Sequence, residues 1–294
     1  MKVAVLSSER GWHTADLLRA LAERGHEGRF LRMQSLSARI GEAPRLTIEG
    51  TALDALDAVL LRTIPRGSLE QIIFRIDALH RLERLGVRVI NPARVIERTV
   101  DKFLTSALLE EAGIPTPPTV VVQRLDDAME AFGRMGDVIV KPLFGSNGRG
   151  IVRVGDEEIA WRVFRALEME HAVYYLQQAL PHEGRDLRVF IVGGRVVAAV
   201  WRMAEGWRTN LSRGGRAERA ELPRAWEDLA LAAARVVGAE YAGVDLLPTP
   251  SGDVYVLEVN GSPGWRGLAP VSGVDIAGAI VGHLENLAWR PRCD

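Results

Sequence analysis

Ile139-Val140-Lys141-Pro142 runs into a turn with three glycines, Gly145-Ser146-Asn147-Gly148-Arg149-Gly150, and then into Ile151-Val152-Arg153-Val154. Glycines let backbone N–H groups approach an anion closely, and a lysine at a strand end adds a compact positive charge. The combination suits phosphate. It is not a Walker A loop, because G-x-x-x-x-G-K-[ST] is absent. Strand, loop and strand together predict a hairpin that folds over a nucleotide.

A second group lies in two apolar segments, Ala242-Gly243-Val244-Asp245-Leu246-Leu247 and Val254-Tyr255-Val256-Leu257-Glu258-Val259-Asn260. Strand alternation puts Glu258 and Asn260 on one face. A hairpin through Pro250-Ser251-Gly252-Asp253 brings Asp245 alongside. Three hard oxygen donors carrying two negative charges suit Mg²⁺, which keeps its other positions for water and substrate phosphates. Lone carboxylates in such apolar strands are costly, which favours a bound cation. A third group is arginine-rich: Arg202, then Trp207-Arg208-Thr209-Asn210-Leu211-Ser212-Arg213-Gly214-Gly215, then Arg216. So polar a stretch between a strand and a helix is able to clamp transferring phosphoryl oxygens.

Other chemistries find no support. His13, His171 and His182 lack metal-ligand spacing and read as structural or surface residues. There is no G-x-S-x-G, and the single cysteine, Cys293, allows no disulfide and no thiolate zinc site. Only three of the 37 basic residues are lysine: Lys2, Lys102 and Lys141. Arginine presents a wide planar fork and lysine a point charge, so Lys102 and Lys141 stand out as candidate phosphate contacts.

The elements that must position these groups are legible from periodicity. Strands over Lys2–Leu6, Glu27–Leu31, Ala58–Leu61 and Val87–Ile90 alternate with helices around Leu17-Leu18-Leu21 and over Ile72–Leu85. That alternation predicts a small open α/β domain, and it lacks the G-x-G-x-x-G of a dinucleotide site. Asn91-Pro92 marks a boundary. A helix is expected over Val95–Ala112, then an extended linker, Ile114-Pro115-Thr116-Pro117-Pro118. Strands over Thr119–Gln123, Val138–Lys141, Tyr174–Gln178, Asp186–Ile191, Arg195–Met203, Tyr241–Leu247 and Val254–Val259 follow, with helices over Leu125–Met135 and Trp226–Val237. Gly-Gly and Ser-Gly-Asp turns between strands predict antiparallel hairpins. The expected units are 1–92, 93–180 with the glycine-rich flap, and 181–294 with the metal site.

Composition excludes several classes. Lys plus Arg, 37, nearly balances Asp plus Glu, 38, so no nucleic-acid partner is expected. At 47% hydrophobic and 26% charged the chain is an ordinary folded protein rather than a disordered one. No apolar run reaches the ~18 residues a membrane span needs, and the first residues are too briefly apolar for a signal peptide. A cytoplasmic protein without a membrane partner is expected.

Taken in order, the motifs resemble the ATP-grasp superfamily, and within it the RimK-like amino-acid ligases. The carrying residues are Asp101-Lys102, Val140-Lys141-Pro142, Gly145 to Gly150, Asp186-Leu187-Arg188, Arg208 to Gly215, Ala242 to Asp245, Glu258 to Gly264 and Gly273-Val274-Asp275-Ile276-Ala277. The resemblance implies an α/β ATP-grasp fold, α+β in its C-terminal half, behind a Rossmann-like pre-ATP-grasp domain. It implies that ATP is held by Lys102, Lys141, the flap residues Gly145, Ser146, Gly148 and Gly150, the hinge at Gln178 and Ala179, and Asp186 on the ribose side. Arg208 and Asn210 are implied as catalytic residues that hold the γ-phosphate and the acyl phosphate, and Asp245, Glu258 and Asn260 as ligands of two Mg²⁺, with Mn²⁺ a possible substitute.

Two departures carry meaning. Relatives read Gln-Glu-aromatic at the hinge, where this chain has Gln177-Gln178-Ala179. After Gly264, Trp265-Arg266 replaces the Leu and acidic residue of ligases that modify ribosomal protein, and Trp265 is expected either to stack on a flat acceptor or to pack in the core. The first alternative resembles ligases that add glutamate to pterin or deazaflavin coenzymes. The implied reaction activates an acceptor carboxylate as an acyl phosphate and joins it to an amino acid, L-glutamate, releasing ADP and phosphate. Arg188, Arg202 and Arg213 are candidate grips for glutamate's carboxylates, and Ser262 and Trp265 candidate substrate contacts in a turn without acids. A non-catalytic ATP-binding regulatory protein is the alternative class. Homo-oligomers are frequent in the family, so one is possible here.

Overall fold

The computed structural model of the chain describes residues 1–145, 150–204, 206–207, 209 and 215–288. The N-terminal part is an α/β unit: β1 (Lys2–Ser7), α1 (Trp12–Glu23), β2 (Glu27–Arg32), β3 (Leu36–Ala38), β4 (Leu46–Ile48), β5 (Thr51–Ala52), β6 (Ala58–Leu61), α2 (Leu69–Arg84) and β7 (Arg88–Ile90). Its main sheet is parallel in the order β2-β1-β6-β7. The central strands β1 and β6 are short apolar runs because both their faces are covered. The small antiparallel sheet β3-β4-β5 has no counterpart in the sequence expectation.

The chain then runs through α3 (Ala93–Val100) and α4 (Lys102–Glu111). One helix was expected over Val95–Ala112, and the break between the two corrects it. Asp101 is extended (φ −91°, ψ 106°), and its carboxylate accepts from the Leu104 N–H at 3.1 Å. An aspartate that satisfies an orphan N–H at a helix start is a strong N-cap. The cap makes Lys102 the first residue of α4.

Next come β8 (Thr119–Val122), α5 (Leu125–Met135), β9 (Val138–Lys141), β10 (Val152–Val154), α6 (Glu157–Met169) and β11 (Tyr174–Gln178). They form an antiparallel sheet, β10-β9-β11-β8. One face packs on α5 and α6 through Phe132, Val138, Val140, Phe164 and Leu176. The other face, carrying Ile139, Lys141 and Gln177, lines a cleft. Glu157–Met169 was not foreseen as a helix; Asp156 caps it by accepting from the Ile159 N–H at 2.9 Å.

The last part is a five-stranded antiparallel sheet, β14-β13-β12-β15-β16, built from β12 (Arg185–Val192), β13 (Arg195–Met203), β14 (Arg216–Arg219), β15 (Tyr241–Pro248) and β16 (Val254–Asn260). Between β14 and β15 runs α7 (Arg224–Val237), and α8 (Ala269–Ser272) and α9 (Ile276–Ala288) close the described chain. One face of this sheet, through Leu187, Val189, Val244 and Leu246, packs on Ala230, Ala233 and Val237 of α7. On the opposite face Phe190 and Val200 join a core with Val3, Leu17 and Trp265, which welds the sheet to the N-terminal unit. Among the described residues no helix is long and apolar enough to cross a membrane.

Asn91, read from sequence as a boundary, is fully buried and acts as the weld's pin. Its side-chain amide donates to the carbonyls of Tyr241 (2.7 Å) and Gly261 (2.6 Å), and its Oδ1 accepts from the N–H groups of Glu240 (2.7 Å) and Tyr241 (3.2 Å). Replacing it leaves buried backbone groups unpaired, at about 1–3 kcal/mol each before relaxation. Asn91→Ala is therefore expected to destabilise the protein by about 3–5 kcal/mol, measured by denaturant unfolding. A loss below about 1 kcal/mol would contradict this role.

Candidate active site

The cleft lies between the two antiparallel sheets. Ile139, Ile151, Leu247 and Leu257 give it apolar walls, and Gln178, Ala179 and Leu180 form its edge. Apolar walls with a few convergent polar groups suit a planar organic ring. The expected hinge residues Gln178 and Ala179 do line the cleft, but their N–H groups already donate to Pro118 O (2.8 Å) and Asp137 O (2.9 Å). His182, read from sequence as structural or surface, also lines it, and burial lowers its pKa.

Two lysines lie at one end. Lys141 leaves β9 and donates to Gln177 Oε1 at 2.6 Å, while Gln177 is anchored by donating to Thr119 Oγ1 at 3.1 Å. Burial lowers the Lys141 ammonium to about 8; Glu258 and Asp245 pull it back up, and Lys102 pushes it down. Lys102 donates to the Gly145 carbonyl at 3.1 Å, tying the first turn of α4 to the start of the glycine-rich loop. Burial lowers its pKa too, against Glu258 and Asp101. Two partly desolvated ammoniums that repel each other make a site for a polyanion. Gly145 and Gly150 bracket the loop with positive φ, 154° and 74°. Ser146 and Gly148 lie outside the described residues.

The sheet floor carries a ladder of charged residues. Across β12 and β15, Arg188 stands opposite Asp245; across β15 and β16, Asp245 stands opposite Glu258; across β12 and β13, Asp186 stands opposite Arg202. Directly opposed residues share a face, so all five point into the cleft side. Asn260 joins them opposite Gly243. A side chain at Gly243 would meet Arg188 at 2.5 Å, so the glycine is what lets Arg188 lie across β15. A bulge falls beside Asp245, where Leu257 is the extra residue of β16. The bulge lets Leu257 line the cleft although Glu258 beside it faces Asp245.

Asp245 is buried, and Arg188 and Arg202 both hold its carboxylate, at 2.9 Å and 2.8 Å for their closest contacts to Oδ2. Burial alone would raise its pKa, but the two guanidiniums outweigh burial and hold it below the usual range. Both arginines bond Oδ2, whereas Oδ1, although close to Arg188 Nε, is buried and accepts no hydrogen bond among the described residues. Glu258 is 41% exposed, with Arg188 only at 3.7 Å. The open Glu258 carboxylate, the unbonded Oδ1 of Asp245 and the Asn260 amide oxygen make a set of hard oxygen donors that fits Mg²⁺. Asn260 Oδ1 accepts from the Ser262 N–H at 2.9 Å, which shapes the following turn.

Several expectations need correction. Asp186 does not present its carboxylate to a ribose: it is buried, with both oxygens taken by Arg202 (2.7 and 2.5 Å) and by the Thr209 hydroxyl (2.7 Å). Arg188 and Arg202 are not free grips for a substrate carboxylate, because they neutralise the site's own acids. Of its two expected places, Trp265 takes the core. It is 0% exposed, its indole N–H donates to Asp16 at 2.8 Å, and Arg62, His13 and Phe190 surround it. His13 Nε2 accepts from the N–H groups of Trp265 (3.0 Å) and Arg266 (3.2 Å), so it is neutral; burial and then Arg62 lower its pKa to about 4. Ser262 donates its hydroxyl to the Arg62 carbonyl. Arg208, Asn210 and Arg213 lie outside the described residues. Sequence reading gave no role to Arg62, and it met Gln177 and Gly243 only inside the motifs Gln177-Gln178-Ala179 and Ala242-Gly243-Val244-Asp245.

Known proteins match this arrangement along nearly its whole length. Residues 1–96 match the RimK PreATP-grasp domain and residues 99–284 the RimK-like ATP-grasp domain. A tetrahydromethanopterin:alpha-L-glutamate ligase of Methanosarcina acetivorans is 32% identical, over 96% of this chain and 98% of its own. A probable alpha-L-glutamate ligase of Xanthomonas oryzae is 37% identical, over 99% of both. The RimK domain ATP-grasp protein of Sphaerobacter thermophilus superposes with a TM-score of 0.77 at 22% identity, over 96% of this chain and 99% of that one. The ATP-grasp ligase PsnB, solved with a minimal precursor, Mg and ADP, gives 0.75 at 23% identity over 98% of both chains. The chain belongs to the RimK-like ATP-grasp family of ATP-dependent amino-acid ligases.

Proposed function

We propose that the protein joins L-glutamate to a carboxylate-bearing coenzyme acceptor of the pterin or deazaflavin type, at the expense of ATP. The observation that carries the reading is the charge ladder ending in Asp245 and Glu258, beside a cleft whose other sheet supplies Lys141. The 32% identity to a tetrahydromethanopterin:alpha-L-glutamate ligase supports the donor and the acceptor class.

Lys102 and Lys141 bind the polyphosphate and offset its charge. Asp245, Glu258 and Asn260 would hold Mg²⁺ through their hard oxygen donors. Mg²⁺ held there would supply positive charge against that building on the transferring phosphoryl group. The acceptor carboxylate takes the γ-phosphoryl group and ADP leaves. The amine of glutamate then attacks the acyl carbon, and phosphate leaves as the amide forms. The protein's part is mainly to place the reactants and balance charge. The family resemblance assigns Arg208 and Asn210 to the transferring group and Arg213 to a substrate carboxylate.

Competition among amino acids tests the donor, with tetrahydromethanopterin fixed as acceptor. L-Glutamate is expected to support the fastest ADP release at equal concentration. Faster release with aspartate, glycine or lysine would overturn the donor while leaving the ligase.

A further inference from the structure

Arg188 and Arg202 are engaged with the site's own acids, so a substrate carboxylate beyond the one assigned to Arg213 needs another cation. One stands at the C-terminal edge of the N-terminal sheet. The order β2-β1-β6-β7 reverses direction between β1 and β6, and open α/β sheets bind ligands outside the carboxyl ends of strands at such a switch point. Ser7 ends β1 there, and Arg62 and Thr63 follow β6. The Arg62 N–H donates to the Leu6 carbonyl at 2.8 Å and extends the parallel ladder into the crevice. Thr63 Oγ1 accepts from the Ser8 N–H at 2.9 Å and bonds the Ser7 hydroxyl at 3.0 Å, which fixes the rim.

Arg62 is 6% exposed. Its guanidinium lies 4.7 Å over the Trp265 ring and reaches the Tyr241 hydroxyl at a long 3.4 Å. Its Nε has no hydrogen-bond partner, and among the described residues no carboxylate comes within ion-pair distance. Buried cations are almost always paired, because desolvating a charge without an anion is costly. The Arg62 carbonyl meanwhile accepts from the hydroxyl of Ser262, two residues after the metal-site Asn260. A cation without its anion therefore sits on the turn that leaves the metal site.

We propose that Arg62 recognises a carboxylate of one of the two organic substrates, at the crevice between the N-terminal sheet and the Ser262–Trp265 turn. The proposal rests on the ligase reading. It gives the N-terminal unit a direct part in substrate choice. Trp265, held by His13 and Asp16, is the platform that aims the guanidinium. A planar fork stacked on an indole is well prepared to meet a carboxylate in bidentate fashion.

The test uses the full chain with Mg²⁺ and AMPPNP, and calorimetric titration with L-glutamate or with tetrahydromethanopterin. Arg62→Gln is expected to weaken one of the two by roughly 10- to 100-fold while AMPPNP binds as in wild type. The probe that weakens identifies which substrate supplies the carboxylate. If glutamate is the one, L-glutamine and the α-amide isoglutamine show which of its carboxylates is read: the matching amide binds wild type and variant equally weakly. Arg62→Lys, which keeps the charge but loses the fork, is expected to fall between the two and serves if the glutamine variant does not fold. Unchanged affinity for both probes would overturn the proposal and leave the ligase standing. So would equal weakening of AMPPNP and both probes, the mark of a purely structural arginine. If wild type bound neither probe and released no ADP with them, the ligase reading would fail and this proposal with it.

Discussion

Glu258→Gln is expected to lower kcat by about 10³-fold or more with little loss of stability. Removing a ligand anion weakens the hold on Mg²⁺, and metal charge stabilisation is worth several kcal/mol at the transition state. The fold tolerates the change because Glu258 is 41% exposed and its nearest cation, Arg188, is 3.7 Å away. Exposed pairs of this kind contribute little. Asp245 differs, since it is buried between Arg188 and Arg202. Asp245→Asn should cost both activity and stability, because Arg188 loses its close anion and Arg202 keeps only Asp186. The contrast between the two variants separates metal binding from fold support. Steady-state kinetics across a Mg²⁺ titration, with thermal unfolding of both variants, measures it. Near-normal activity of Glu258→Gln at low Mg²⁺ would refute the metal assignment.

Lys141→Arg keeps the charge yet is expected to lower kcat/KM for ATP roughly 100-fold, since a misplacement of about 1 Å at a positioned group costs that much. The lysine is threaded between Gln177 and the cleft, with a 2.6 Å bond to the amide oxygen, and a fork does not fit that path. A pH profile adds an independent check. Burial lowers the Lys141 ammonium to about 8, so in the free enzyme it loses its proton as pH rises through that value. Because kcat/KM reports free-enzyme ionisations, wild-type kcat/KM for ATP should fall above about pH 8. Arginine stays protonated, so the residual activity of Lys141→Arg should lack this limb. Lys2→Arg, on the solvent-facing end of β1, should change neither quantity. Wild-type ATP kinetics in Lys141→Arg would overturn the role.

The parts of the site that rest on local pattern were legible before the fold was known. Period two placed Glu258 and Asn260 on one face, and the short turn between apolar segments brought Asp245 opposite Glu258. The scarcity of lysine drew attention to Lys102 and Lys141, which lie close enough to act on each other's charge. What stayed hidden depends on partners distant in sequence. Arg188 and Arg202 looked free because an ion pair is chosen by cross-strand register, which the sequence does not display. For Trp265 the sequence left acceptor stacking and core packing both open; its burial comes from α1, some 250 residues earlier, through His13 and Asp16. Asn91 read as punctuation, yet it bonds residues 149 to 170 positions away. The break at Asp101 carried a cap signal, but the helical period on both sides masked it.

Labelling the acceptor carboxylate with ¹⁸O tests the phosphoryl-transfer ligase most directly. Activation by the γ-phosphoryl group makes one carboxylate oxygen the bridge to phosphorus, and attack of the amine then releases that oxygen with phosphate. With ATP, Mg²⁺, L-glutamate and labelled acceptor, the expected products are ADP, inorganic phosphate carrying one ¹⁸O, and acceptor heavier by one glutamyl residue. AMP with pyrophosphate, unlabelled phosphate, or ADP release that needs neither glutamate nor acceptor would contradict it.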